Sequence, residues 1–234
     1  MPLTSIEPRR LYRQIAEQIR GLISSGEYIA GARLPPERDL AKQLRVSRPS
    51  VREALIALEV EGLVEVRVGS GIYVRGNAGD GHGAHSAIQQ SGPFELIRAR
   101  RAIEGECAAL AAKDGKRAQI DAIAAALDEM RAEAAKRGEP PLDADRHFHL
   151  SIAEATNNGA LVQVVKSLWD ERTAPLFTQL SAHFDTPKSW ASAIDEHQAV
   201  VDAIRARDGE AARAAMHGHL DRASRRFGRS WEKK

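Results

Sequence analysis

Disulfide chemistry is absent from this chain. Only Cys107 among 234 residues is a cysteine, so no internal disulfide can form, and a reducing, cytosolic setting is expected. No apolar run approaches the roughly 20 residues that a membrane span needs, and the first residues lack the apolar core of a secretory signal. A cytoplasmic protein without a membrane partner is therefore expected. Internal repeats are missing, and so is a strong charge of either sign: 34 Lys and Arg stand against 32 Asp and Glu. The balance is uneven along the chain, with 12 against 9 in residues 1–76 and therefore 22 against 23 beyond. That slight basic excess permits nucleic-acid binding by the first part without demanding it. The rest is ordinary: 43% hydrophobic and 28% charged residues describe a globular chain long enough for two domains.

One stretch resists packing. Residues 76–92, GNAGDGHGAHSAIQQSG, hold five glycines and almost no apolar periodicity. A linker is therefore expected at 77–92, between one domain at 1–76 and another at 93–234. In the first, Leu11, Ile15, Ile19, Leu22 and Ile23 recur at helical spacing, and Gly26 stops that helix. A second helix opens at Leu34-Pro35-Pro36-Glu37 and runs to about Leu44. Ser47 can cap a third, which carries Val51, Ala54, Leu55 and Leu58 to a stop at Gly62. Leu63–Val68 and Ile72–Val74 then make two short strands joined through Gly69-Ser70-Gly71. Helix, helix, tight turn, helix and hairpin is the order of a winged helix-turn-helix. Beyond the linker no strand is expected. Helical patterns cover 93–113, 117–137, 143–156, 158–180, 187–207 and 209–230, which pack naturally as an all-α bundle. The expected fold class is mainly α.

In a helix-turn-helix the third helix lies in the major groove, and its first turn reaches base edges. Here that turn presents Ser47, Arg48, Ser50 and Arg52. An arginine can grip guanine O6 and N7 with two hydrogen bonds, worth about 1–3 kcal/mol of discrimination. Serine hydroxyls and a helix N-terminus suit phosphates. Arg38, on the second helix, is placed to reach the backbone or a base, and Arg67 stands beside a wing tip of small residues that lets the backbone approach a minor groove. Each arginine alone is more simply a solvated surface charge; together with the fold order they point to duplex DNA. The run LPPERDLAKQLRVSRPSVREALIALEVEGLVEVRVGSGIYV resembles the DNA-binding domain of the GntR family of bacterial regulators. That resemblance implies that Arg38, Arg48, Arg52 and Gly69 contact an operator and that Ser47 contacts phosphate. Val68 departs from members that carry a polar side chain at the wing tip.

A second constellation lies beyond the linker. Asp145 and His149 are four apart, on one helix face with Ile152 and Ala153. His197 lies between Ile194 and Val200-Val201, and His219 follows Ala215 and Met216. Three helices thus direct metal-competent groups inward, as zinc-type N/O sites do. Neutral imidazole suits zinc, nickel or iron, and the aspartate adds charge balance. Three separate core histidines, each hydrogen-bonded, would show the same spacing. His147, His183 and His217 fall off these stripes and read as surface. Arg100 shares an apolar face with Leu96, Ile97 and Ile103, so it needs a partner. Either Glu104, one turn on, supplies it, or Arg100 makes a bidentate grip on an effector carboxylate. Arg172, in WDERTAPLF, is a second candidate for that grip, although a surface charge is its simpler reading.

This half resembles the FCD effector domain of the FadR subfamily in the same family. The resemblance rests on Arg100 in RARRAIEGECAALAA, the Asp145–His149 pair, Asn158 in ATNNGAL, His197 in DEHQAVVDAI and His219 in AMHGHL. It implies a divalent ion, zinc or else nickel or another transition metal, held by Asp145, His149, His197 and His219. It further implies that the ion and Arg100 bind an organic-acid effector, with Asn158 among the matching positions. EPRRLYRQIA, SGPFELIRARRAIE and TPKSW…EHQ also resemble the hexuronate-utilisation repressors of the UxuR/ExuR type, which implies a uronate or aldarate effector. Regulation of another hydroxy-acid pathway, of the lactate or gluconate kind, is the neighbouring alternative. The expected protein is a homodimeric repressor on double-stranded operator DNA, relieved by the acid. A metal-dependent enzyme built on the bundle is a rival class, but the sequence offers it no clear general base. A pure metal sensor is another, although a filled four-ligand site suits a resident ion better.

Overall fold

A computed structural model describes residues 10–76, 91–137 and 140–229. The expected linker at 77–92 lies outside the described residues except for Ser91 and Gly92. Two compact units are present, the second spanning Pro93–Arg229.

The first unit contains α1 (Leu11–Ser24), α2 (Glu37–Leu44), α3 (Arg48–Val60), β1 (Val64–Arg67) and β2 (Gly71–Val74). Tyr12, Ile15, Ala16 and Ile19 form the buried stripe of α1, at i, i+3, i+4 and i+7, and α1 packs on α3. Leu11, expected on that stripe, is exposed, because the stripe begins one residue later. α2 ends at Arg45, whose left-handed backbone (φ 54°) lets the Val46 N–H donate to the Ala41 carbonyl at 3.0 Å. This reversal is the tight turn of the motif. Ser47 then caps α3, its Oγ accepting from the Ser50 N–H at 3.3 Å. Val51, Ala54, Leu55 and Leu58 are fully buried beneath it.

The hairpin is antiparallel, with Val64 opposite Val74 and Arg67 opposite Gly71. A third segment lies along the other edge of β2, which sequence reasoning missed. There the Leu34 N–H donates to the Ile72 carbonyl at 2.8 Å, and the Val74 N–H donates to Ala32 at 2.9 Å. Gly71 permits this approach: its φ is +131°, and a Cβ there would lie 2.5 Å from Arg33 Nε.

The second unit is all helical among the described residues: α4 (Pro93–Asp114), α5 (Arg117–Arg137), α6 (Leu142–Glu154), α7 (Gly159–Arg172), α8 (Pro175–Phe184), α9 (Pro187–Arg205) and α10 (Gly209–Phe227). α4 is the central helix and packs against α6, α7, α9 and α10. The single helix expected over 158–180 is in fact α7 followed by α8. Pro175 has no amide hydrogen and its ring would clash with a carbonyl one turn back, so it starts a helix instead of continuing one. The fold is thus a winged helix-turn-helix followed by an all-α unit. No helix among the described residues is long and apolar enough to cross a membrane.

Candidate functional site

The face of the first unit that could meet DNA is built on the ends of α2 and α3. Ser47 is exposed at the start of α3, with its Oγ 2.8 Å from that of half-buried Ser50. The Arg38 side chain is 82% exposed and pairs with Asp39 at 3.2 Å. Arg48 is 48% exposed and donates from Nε to Glu37 Oε1 at 2.9 Å, a contact that leaves its two terminal nitrogens for a bidentate grip. On the wing, Arg67 stacks over Tyr73 at 4.6 Å and pairs with Glu65, while Gly69 (φ +83°) turns the exposed tip beside Val68.

Arg52, also expected at the operator, does not share this exposure in the free chain. Its side chain is 1% exposed, and both Nε (2.8 Å) and Nη2 (2.5 Å) donate to Glu37 Oε2. Burial pushes its pKa down while Glu37 pulls it back up. A guanidinium closed in this way fixes Glu37, and through Glu37 the Nε of Arg48.

In the second unit α6, α9 and α10 bring Asp145, His149, His197 and His219 together, all buried. His149 Nε2 is 3.2 Å from His197 Nε2, and Asp145 Oδ1 is 3.5 Å from the first and 3.2 Å from the second. His219 completes the group, with its ligand nitrogen within 4.8 Å of theirs. Two carboxylates behind the imidazoles decide which nitrogen faces inward. Glu104 Oε2 is 2.5 Å from His149 Nδ1, and Glu196 Oε2 is 2.9 Å from His219 Nδ1. A nitrogen that donates to a carboxylate leaves its ring partner as a lone pair. His219, whose Nδ1 is hydrogen-bonded to Glu196, therefore turns a lone pair toward the group that holds the unpartnered Asp145 Oδ1. The donor set suits zinc or a similar ion.

The electrostatics agree with this arrangement. Burial works to raise Glu104, but Arg100 and His149 outweigh it and hold the carboxyl at about 2. Asp145 is likewise held well below its ordinary value, burial being outweighed by Arg172 and the two imidazoles. Burial keeps His219 well below its usual value and lowers His197 too, so both rings are neutral, the form that ligates. His149 is the exception: Glu104 and Asp145 overcome its burial and raise it, favouring the protonated ring that an ion would have to displace.

Beside this cluster lies a narrow cavity of about 430 Å³, mouth included, reached by Asp145 and His219 from one side. Little of it is wide enough for a water molecule. Arg100 lines it, stacked over Trp169 at 4.2 Å and donating from Nε and Nη2 to the two Glu104 oxygens at 2.7 and 3.3 Å, as the partner reading expects. Arg172, the weaker candidate, is well placed: it lines the cavity, pairs with Asp145 at 3.2 Å, and its Nε has no partner. Asn158 is a correction. It is exposed, does not line the cavity, and accepts from the Ala160 and Leu161 N–H groups as the cap of α7. Of the three histidines read as surface, His147 is exposed and paired with Glu129, whereas His183 and His217 are half-buried.

Glu196, Trp169 and Asp185 were missed by sequence reasoning. Glu196 is also held by Arg222 and Arg226 at 2.9 Å each, and its adjacency to His197 was the only signal. Asp185 also lines the cavity, where burial pushes its carboxyl up to about 6 against the pull of Arg172.

Comparison with known proteins fits both units. Residues 11–74 match the bacterial regulatory proteins of the gntR family, and residues 95–222 match the FCD domain. The Uxu operon transcriptional regulator of Escherichia coli (strain K12) is 40% identical over 228 residues, covering 94% of this chain and 87% of that protein. The Exu regulon transcriptional regulator of the same strain is 39% identical over 221 residues, with coverages of 92% and 83%. Among solved structures, a GntR protein of Streptococcus agalactiae superposes with a TM-score of 0.50 at 26% identity, over 92% of this chain and 99% of that one.

Proposed function

Since the chain belongs to the GntR family of bacterial regulatory proteins, as an FCD-domain transcriptional regulator and not an enzyme, we propose that it represses sugar-acid catabolism genes until a uronate or aldarate binds its second unit. Residues 1–76 read the operator, 77–92 link, and 93–234 sense. The observation that carries this reading is the convergence of Asp145 Oδ1 and the imidazoles of His149, His197 and His219 beside an arginine-lined cavity.

Asp145, His149, His197 and His219 would hold a divalent ion, zinc by donor type, which supplies Lewis acidity for a carboxylate or hydroxyl oxygen. Arg172 offers its unpartnered Nε, and Arg100 its remaining terminal nitrogen, to the acid's carboxylate. Because the cavity is so narrow, a six-carbon acid binds only as the side chains around it yield. Such an acid favours one arrangement of α8, α9 and α10 over another, and it can shift operator affinity only by that difference. In the first unit Arg38 and Arg48 read base edges, Ser47 and Ser50 hold phosphate, and Arg67 with Gly69 enters the minor groove. Two copies on a pseudo-palindrome satisfy the geometry of this motif.

A thermal-shift screen tests the sensing half. At about 100 times its Kd a ligand adds about 2.7 kcal/mol of stability, so uronates should raise the melting temperature by several degrees. The shift should vanish after chelation, and also in His197→Ala, which should carry less metal by elemental analysis. Full metal and a full shift in that variant would contradict the assignment.

A further inference from the structure

Part of the cavity wall is made by residues outside the ion cluster. Asp185, at the close of α8, and Ser189 with Trp190, on the first turn of α9, line the wall contributed by the α8–α9 junction. Two polar atoms there are buried without a hydrogen-bond partner, Asp185 Oδ2 and Trp190 Nε1. Trp190 is only 6% exposed. A buried indole N–H and a buried carboxylate oxygen normally find partners, because leaving them unmade is costly. Both residues line one narrow space, so whatever fills that space is the natural partner of these atoms.

Their chemistry restricts that ligand. The indole can only donate, and an ionised carboxylate can only accept. A hydroxyl does both, so a chain bearing several hydroxyls satisfies the pair. A second carboxylate would gain the indole but meet the charge of Asp185. A short hydroxy-acid held at the arginine end would leave both atoms unmade.

Building on the proposed function, we infer that Asp185 and Trp190 form a hydroxyl-recognising subsite that makes the sensor selective for a monocarboxylic polyhydroxy acid over aldarates and short 2-hydroxy acids. Arg172 and Arg100 take the one carboxylate, and Asp185 with Trp190 takes hydroxyls. Specificity of this kind is strong, because a site built to bond a hydroxyl penalises ligands that lack it.

Calorimetric titration of the intact metal-loaded protein with D-glucuronate, D-galacturonate, galactarate and lactate tests this. In the wild type the better uronate should bind at least about tenfold tighter than galactarate or lactate, the effect of one charge-assisted hydrogen bond. Asp185→Asn should lose about tenfold or more for the uronate, change lactate by less than about threefold, and gain affinity for galactarate. Trp190→Phe, which keeps the ring, should lose uronate affinity by a similar factor. Loss of the uronate-to-lactate ratio separates recognition from a structural defect, which would weaken all ligands together. If both variants melt like the wild type and keep uronate affinity within about threefold, the subsite is wrong while the sensing role stands. If no acid binds the wild type, the sensing role itself fails and the subsite with it.

Discussion

At the scale of single residues, the two arginines Arg38 and Arg52 look alike in sequence and differ in physical circumstance. Arg38 stands in solvent, and Arg52 is closed over Glu37. Removing one partner of a buried ion pair costs about 3–5 kcal/mol. Arg52→Ala should sit near the low end of that range, since Arg48 still faces Glu37. Arg38→Ala should leave stability within about 0.5 kcal/mol, as exposed substitutions do, yet weaken operator binding and its salt dependence. Denaturant unfolding beside operator titration checks both, and equal stability losses would contradict the distinction. The cluster of Asp145, His149, His197 and His219 was legible because each falls on an apolar helical stripe. The burial of Arg52 was not, because it depends on a carboxylate fifteen positions away on another helix.

Elements follow from local chemistry where local chemistry decides. Ser47 at the start of α3, the stripes of α3 and α6, and the hairpin between Val64 and Val74 are all short-range patterns. The pairing of residues 32–34 with β2 is not, since it joins segments about forty residues apart and includes an arginine opposite Tyr73. The break between α7 and α8 was written in Pro175 but was overridden by the apolar residues on either side. Asn158 shows how a matching position can serve the element alone. Asn158→Ala should cost about 0.5–2 kcal/mol as a lost helix cap and leave effector affinity unchanged. A fall in effector affinity larger than the fall in stability would return Asn158 to the binding site.

At the scale of the whole chain, the described residues divide into a unit that presents arginines and a unit that gathers three buried histidines able to hold a cation, beside a cavity. The carboxylates Glu104 and Glu196 tie these features together in the second unit, since each orients an imidazole while pairing with an arginine. Their sequence positions carry no periodic signal for that double duty. Only the packing of α4 on α6 and of α9 on α10 reveals it. Under the proposed function the acid shifts operator affinity only through the arrangement of the second unit that it favours, and such couplings commonly amount to about 5–150-fold in affinity.

That coupling is measured most directly by titrating the intact protein onto its own promoter DNA by fluorescence anisotropy, at fixed salt, with and without a saturating hexuronate. The metal-loaded protein should lose operator affinity by a factor within about that range when the acid is added, and the chelated protein should not respond. Operator affinity unmoved by the acid in the metal-loaded protein, although the acid binds, would contradict a regulator that senses through its second unit.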